Sequence, residues 1–206
     1  MSLLALTTIF ALNNQLQNPS YPVELAVKSY GVVPELIPDV TPLNYIIVKY
    51  SSRLQVVLGN VFGLNQVQEE PIYVGFYACP ERYYTLFMLD PDVPSRTNTS
   101  LANVRHWHVG NIPADNVTAG ETLAMYMGPI PDPGTGPHRY TFLVYRQKKK
   151  LVFTEPRLLD TTGNGRTGFS LKEYVKKYNL ELIAANFFQA EFGNNGCLQG
   201  FVPVVQ

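Results

Sequence analysis

The histidines of this sequence are the side chains best suited to chemistry near neutral pH, and two of them are closely spaced. His106 and His108 lie in one apolar run, and His138 opens another. Residues two apart on a β-strand project from the same face, so this spacing predicts that His106 and His108 share a face and Trp107 faces the other way. A His-x-His pair with a third histidine is also typical of open zinc sites. A metal-assisted hydrolase is therefore one interpretation, and ordinary structural histidines are another.

Paired carboxylates follow an apolar run in the stretch LDPDVPSR, residues 89–96. Asp90 and Asp92 lie on either side of a proline, and Pro94 follows shortly after them. Because proline fixes φ and biases its predecessor away from the helix, the chain here is expected to be stiff and irregular. Two neighbouring carboxylates need a cation or a proton, and Arg96 is near enough in sequence to be the partner. A Pro-Asp turn with its own Asx hydrogen bonds is the structural alternative.

A third stretch, GPIPDPGTGPHRY, combines glycines that can bend sharply with prolines that restrict the remaining positions. It ends at His138 and Tyr140, which lie two apart and so share one face of a strand, whereas Arg139 faces the other way. The pattern predicts an imidazole and a phenol held at the mouth of a strand, where they can meet a ligand.

The elements that must position these groups are mostly strands. Short runs rich in β-branched and aromatic residues alternate with Gly, Pro, Asn and Asp clusters, which is an all-β pattern with minor α. The predicted strands are 43–50, 54–60, 71–77, 83–89, 106–112, 122–127, 139–146 and 184–192. Residues 170–178 form a short amphipathic helix instead, with Ser170 as N-cap and Glu173 three residues later. Residues 158–169 are expected to be a surface loop before it.

Composition and charge limit the classes of protein and of partner. The chain has 206 residues, of which 46% are hydrophobic, and this supports one substantial core over residues 21–206. Its 16 basic residues balance 16 acidic ones, so a nucleic-acid partner is not expected. Cys79 and Cys197 lie far apart, without the spacing of a metal knuckle or a disulfide scaffold.

The first 20 residues are expected to be a signal peptide or a disordered extension. The apolar stretch from Leu3 to Leu12 is too short to span a bilayer. It is similar to a signal-peptide core but has no basic residue before it and no clear cleavage site after it. These features narrowly favour secretion over a cytoplasmic location. They also keep open a second alternative, a secreted carrier of hydrophobic, odorant-like molecules.

The motifs DPDVPSR, RHW, GTGPHRY and FLVYRQ occur in this order in the chain. Together they closely resemble the phosphatidylethanolamine-binding protein family, which includes the Raf kinase inhibitor proteins. The resemblance implies an antiparallel β-sandwich of Greek-key type with a helix near the C-terminus. It also implies a small pocket that accepts phosphate groups, and a cis peptide bond before Pro94.

The same resemblance assigns the site residues and the function. It places Asp90, His106, Pro131, His138 and Tyr140 at the pocket. The supporting residues are Asp92, Pro94, Arg96 and Arg139. The function implied is non-catalytic binding of an anionic or phosphorylated small ligand such as a phospholipid head group, and inhibition of a protein kinase or protease by direct contact. We expect a monomer that needs no metal or cofactor and does not span a membrane.

Overall fold

A large sheet forms the centre of the computed structural model, which describes residues 23–40 and 42–194. In chain order the strands are β1 (Asn44–Tyr45), β2 (Ile47–Ser51), β3 (Leu54–Gln55), β4 (Asn60–Val61), β5 (Tyr73–Gly75), β6 (Tyr83–Asp90), β7 (Val104–Pro113), β8 (Glu121–Ala124), β9 (His138–Gln147) and β10 (Glu181–Ala190). The large sheet has the order β1-β10-β9-β6-β7-β8, and β4 also pairs with β10. A smaller sheet has the order β3-β2-β5.

The large sheet is mixed, so the expectation of purely antiparallel sheets is wrong. β1 and β4 both run parallel to β10, because the chain leaves this sheet after Tyr45, forms β2 and β3 in the smaller sheet, and returns in the same direction at Asn60. The central strands are antiparallel to one another. Within them, β9-β6-β7-β8 has the spatial order of a Greek key. The all-β class with minor α is confirmed.

Two apolar layers cover the two faces of the large sheet, and they explain why its central strands are buried along nearly their whole length. One layer lies between the two sheets and includes Ile46, Phe76, Met88, Trp107 and Phe142. The other lies between the large sheet and the helices. It includes Val27, Phe87, Leu143, Tyr174 and Phe187.

The helices are α1 (Val23–Ser29), α2 (Val32–Glu35) and α3 (Leu171–Tyr178), with 3-10 turns at Leu64–Gln66 and Val117–Ala119. The predicted helix near the C-terminus is confirmed as α3. The side chain of Ser170 accepts a hydrogen bond of 3.3 Å from the main-chain nitrogen of Glu173, as expected of the N-cap. Its apolar side packs on the large sheet through Leu171 and Tyr174. α1 and α2 were not predicted from the sequence.

The expectations for residues 1–20, for Cys197 and for the tail beyond residue 194 lie outside the described residues. Across 23–40 and 42–194, no helix is long and apolar enough to cross a membrane.

A β-bulge interrupts β7 at the first histidine. Met88 of β6 pairs with Trp107 and Leu89 pairs with Arg105, so His106 is the extra residue of its strand. A bulge places two successive side chains on one face. His106 and Trp107 therefore share the face toward the smaller sheet, whereas His108 faces the helices. The expectation that His106 and His108 share a face is wrong, because it assumed an uninterrupted two-residue period.

Candidate functional site

A pocket of about 150 Å³ opens where β6 ends and where β7 and β9 begin. Its lining residues are Asp90, Val93, Pro94, Val104, His106, Met127, Ile130, Pro131, Asp132, His138, Gly163 and Thr167. Four of the five predicted pocket residues therefore meet here: Asp90, His106, Pro131 and His138. Pro94, predicted to have a supporting role, also lines the pocket, and the predicted cis bond before it is present.

His138 and Asp90 form the centre of the site. β6 and β9 are antiparallel, with Leu89 opposite Thr141, so the last residue of β6 lies beside the first residues of β9. The Nδ1 atom of His138 donates to the Oδ2 atom of Asp90 over 2.7 Å, and both side chains are almost fully buried. Asp90 is itself oriented, because its Oδ1 accepts from the main-chain nitrogen of Asp92 over 2.8 Å.

The second nitrogen of His138 is also a donor. The Thr135 hydroxyl donates to the carbonyl of Asp132 over 2.8 Å, so its oxygen accepts from Nε2 of His138, 3.0 Å away. A histidine that donates from both ring nitrogens is an imidazolium. Burial lowers the pKa of His138, but the hydrogen bond and charge of Asp90, together with Asp92 and Asp132, outweigh it and raise that pKa. Geometry and electrostatics thus both favour the protonated form of His138.

His106 has the opposite character. Its Nδ1 donates to the carbonyl of Met127 over 2.8 Å, and the nitrogen of Met127 donates back to the carbonyl of His106 over 2.8 Å. Burial lowers the pKa of His106, against the charge of Asp90 and the bond to Met127, which raise it. The ring is therefore neutral near pH 7. With its proton on Nδ1, it presents an acceptor at Nε2.

Tyr140, the fifth predicted pocket residue, lies beneath the pocket and does not line it. Its ring centroid is 5.1 Å from that of His106 and 6.4 Å from that of His138. Burial and the charges of Asp90 and Asp92 raise its pKa well above the ordinary value, so the phenol stays neutral. The hydroxyl is close enough for the charge of the Asp90 carboxylate to raise its pKa, but it has no hydrogen-bond partner of ordinary geometry. Tyr140 thus supports both imidazoles from below.

Of the residues predicted to support the pocket, Asp92 and Arg139 form an ion pair, whereas Arg96 lies elsewhere. Arg139 faces away from the pocket, as predicted, and its Nη2 donates to the Oδ1 atom of Asp92 over 2.6 Å. Arg96 was expected to neutralise these aspartates, but its guanidinium donates to the carbonyl of Tyr30. Arg139 pairs with Asp92 in place of Arg96, because β9 places Arg139 directly beside Asp92. Trp107 stays out of the pocket, although it shares the face of His106.

Arg166 is a buried residue near the site that the sequence did not indicate. Its Nη1 donates over 2.8 Å to the carbonyl of Arg105, and its charge lowers the pKa of His106. The loop expected at 158–169 thus folds back on β7, where Gly163 and Thr167 reach the pocket wall. Only the lone arginine in a glycine-rich loop could have hinted at this contact.

The three histidines do not converge, so the metal interpretation loses its ligand set. His108 stacks on Phe87 at 4.2 Å on the helix side of the sheet, away from the other two histidines. In the part of the chain that the structure describes, no group of three or more His, Cys, Asp and Glu side chains could hold a metal ion.

The fold and the pocket define a class: a β-rich protein with a small pocket at a strand mouth, where a histidine and an aspartate form a buried hydrogen-bonded pair. The model of the phosphatidylethanolamine-binding protein family matches residues 40–188. The chain belongs to this family.

Individual relatives agree with that membership. The chain is 30% identical over 171 residues to "Putative odorant-binding protein A5" of Drosophila melanogaster, covering 82% of this chain and 80% of that protein. The phosphatidylethanolamine-binding protein of Plasmodium vivax is similar in structure, with a TM-score of 0.70, 26% identity, and coverage of 82% and 96% of the two chains. A carboxypeptidase Y inhibitor, solved in complex with its cognate proteinase, has a TM-score of 0.67 and 28% identity, with coverage of 82% and 95%.

Proposed function

We propose that this protein binds a small phosphorylated ligand, without catalysis, in the pocket between His106 and His138. The observation that carries the proposal is the buried imidazolium of His138, which Asp90 holds in place at the wall of a pocket of about 150 Å³. A buried cation beside an accessible cavity favours an anion, and hydrogen bonds to charged groups are stronger than neutral ones.

The walls around this cation fit a phosphate monoester. His138 donates from Nε2 once the ligand replaces the hydroxyl of Thr135, and His106 can donate when it gains a proton. At the rim, the exposed carboxylate of Asp132 can receive an ammonium group. The combination supports a ligand such as phosphoethanolamine, in which a phosphate and an ammonium lie close together.

The test is a calorimetric titration with inorganic phosphate and with O-phosphoethanolamine, combined with NMR of the histidine side chains. We expect both ligands to bind and to shift the resonances of His106 and His138. His138→Ala should weaken binding by about 1.5–3 kcal/mol, the range for a hydrogen bond to a charged group.

A matched control is available in the same chain. His108→Phe replaces a histidine of β7 that faces the helices and lies outside the pocket, so it should leave phosphate affinity unchanged. Phosphate affinity that survives His138→Ala in a protein with a lowered melting temperature would remove His138 from the site and contradict the proposal.

Direct inhibition of a protease is the regulatory role that we add to this proposal. It is supported by the similarity to the carboxypeptidase Y inhibitor, which spans 95% of that chain. Carboxypeptidase Y assayed with and without this protein is the first test, and unchanged peptidase activity at a large excess of protein would contradict it for that target. A protein kinase is the second class of target, and it rests on the resemblance of the motifs.

A carrier of small apolar molecules is the alternative function, supported by the name of the Drosophila relative. It requires a secreted protein, and the sequence narrowly favours secretion with cleavage of a signal peptide within residues 1–20. The intact mass of the protein from its native source tests that cleavage directly, and retention of all 206 residues would contradict it.

A further inference from the structure

Two short motifs of the sequence have no part in the pocket: NTS at residues 98–100 and NVT at residues 116–118. Each is an Asn-x-Ser/Thr sequon, the acceptor for N-linked glycosylation in secreted proteins. The remaining Asn-x-Ser/Thr triplet of the chain, NPS at residues 18–20, has proline in the middle position, which excludes it. The sequence thus offers two acceptor asparagines.

The fold places both sequons on the surface. The connection between β6 and β7 carries Asn98, and the connection between β7 and β8 carries Asn116. Both asparagine side chains are exposed, and so are Ser100 and Thr118, which supply the hydroxyl groups of the two sequons. A bulky glycan on either asparagine therefore displaces no packed side chain.

The nitrogen atom that would carry the sugar is free at both positions. The Oδ1 atom of Asn116 accepts from the hydroxyl of Thr118 over 2.8 Å, and that of Asn98 accepts from the main-chain nitrogen of Ser100 over 3.2 Å. Neither Nδ2 atom has a hydrogen-bond acceptor among the residues that the structure describes. By contrast, Nδ2 of Asn186 donates to two main-chain carbonyls, over 2.7 and 2.9 Å. The fold can thus lose one N–H at each sequon without breaking a hydrogen bond.

Asn98 lies close to the pocket without lining it. Its main-chain nitrogen and carbonyl pair with those of Ser95, over 3.0 Å in each direction. Ser95 directly follows Pro94, which lines the pocket. Asn116 lies beyond the other end of β7, after Pro113. Since neither asparagine lines the pocket, a glycan on either one leaves the lining of the pocket unchanged.

We propose that Asn98 and Asn116 are N-glycosylated when the protein enters the secretory pathway. This inference goes beyond the proposed function and rests on the secretion that the N-terminal sequence narrowly favours. The donor is an oligosaccharide carried on a lipid diphosphate. Transfer forms a bond between C1 of the sugar and Nδ2 of the asparagine, and it breaks the bond between C1 and a diphosphate oxygen. The lipid diphosphate leaves with that electron pair, and Nδ2 gives up one proton to the solvent.

The experiment expresses the full chain, with its own N-terminus, in mammalian cells and collects the protein from the medium. Peptide N-glycosidase removes N-linked glycans and leaves an aspartate at each carrier position, so mass spectrometry locates every glycan. Treatment in water labelled with heavy oxygen distinguishes these aspartates from spontaneous deamidation. We expect the secreted protein to lose mass on treatment and to contain labelled aspartate at positions 98 and 116.

Variants separate the two positions. Asn98→Gln and Asn116→Gln should each remove one glycan, and the glycosidase should not change the mass of the double variant. Thr118→Val keeps the shape of the side chain but removes its hydroxyl, so it should abolish the glycan at Asn116, whereas Thr118→Ser should retain it. Asn164→Gln is the matched control, because Asn164 is also exposed but has Arg166 in place of Ser or Thr two residues later. It should leave both glycans in place.

Two results would overturn the proposal: secreted protein without a glycan at either position, and a full chain that stays in the cytosol. A glycan on one asparagine alone would overturn the assignment of the other. The proposed function is tested separately, because protein made in bacterial cytosol carries no N-linked glycan and still serves for the phosphate titration.

Discussion

Asp92 accepts three hydrogen bonds from Arg139. They come from the main-chain nitrogen at 2.8 Å, from Nε at 2.9 Å and from Nη2 at 2.6 Å. Both side chains are fully buried. Arg139 lies between His138 and Tyr140 at the start of β9. Its ion pair with Asp92 therefore fixes the end of the strand that carries these two side chains.

The first prediction concerns this pair. Arg139→Met should lower the free energy of unfolding by about 3–5 kcal/mol, because it leaves the carboxylate of Asp92 buried without its cation. Urea denaturation followed by tryptophan fluorescence measures the change. Arg146→Met is the matched control: Arg146 pairs with Glu181 at the surface, and such pairs contribute at most about 1 kcal/mol. If the two variants lost the same free energy of unfolding, burial would not explain the strength of the Arg139–Asp92 pair.

The second prediction concerns His108, whose two ring nitrogens are buried without a hydrogen-bond partner. The ring stacks on Phe87 and lies 5.1 Å from the ring of Tyr174. His108→Phe should raise the free energy of unfolding, by on the order of 1–3 kcal/mol, because it removes the cost of burying unpaired polar atoms. A lowered melting temperature would show that the site cannot accommodate the phenyl ring.

The same variant should change the acid sensitivity of the fold. Burial, together with the charges of Arg105 and Arg157, lowers the pKa of His108 well below its ordinary value. The unfolded chain then binds more protons, so stability is lost as pH falls below about 6.5. Melting temperatures of His108→Phe should therefore fall less steeply from pH 7 to pH 5. The melting temperature of the variant should still fall somewhat toward pH 5, because the pKa of His106 is also lowered.

The third prediction is that phosphate binding takes up protons. Neutral His106 presents an acceptor at Nε2, so a phosphate dianion binds there only when the ring gains a proton or the ligand does. Affinity should therefore rise as pH falls from about 8 toward 6. Calorimetry at pH 8 in two buffers of different ionisation enthalpy measures the uptake. His106→Gln should reduce it, and zero uptake in the wild-type protein would contradict the assigned tautomer.

The fourth prediction concerns Thr135, whose hydroxyl oxygen is the hydrogen-bond partner of His138 Nε2, 3.0 Å away. Thr135→Val keeps the shape of the side chain but removes that competitor, so phosphate should bind up to about tenfold more tightly, as expected for one hydrogen bond. The change in affinity is measured by calorimetry. A weaker affinity would indicate that the hydroxyl contacts the ligand instead of competing with it.

Local patterns in the sequence predicted the long strands and the capped helix α3, because each depends on residues a few positions apart. The motif resemblance predicted Asp90, His106, Pro131 and His138 at one pocket. The partners of these residues could not be predicted in the same way. Arg139 contacts Glu35 of α2, and Arg166 reaches β7 from its loop. Such contacts depend on tertiary structure, and no short-range pattern encodes them.

The bulge at His106 has a practical consequence for anyone who mutates or compares this strand. It changes the phase of the strand: before it, the odd-numbered Arg105 faces the helices, and after it the odd-numbered Trp107 and Val109 face the smaller sheet. A second register shift, between Val109 and Ile112, changes the phase again. A mutational scan that assumes a single two-residue period would therefore assign some side chains of β7 to the wrong layer. Deleting one residue at this position would remove this change of phase, so the side chains on one side of the deletion would have to exchange layers or the strand would have to shift its pairing by one residue.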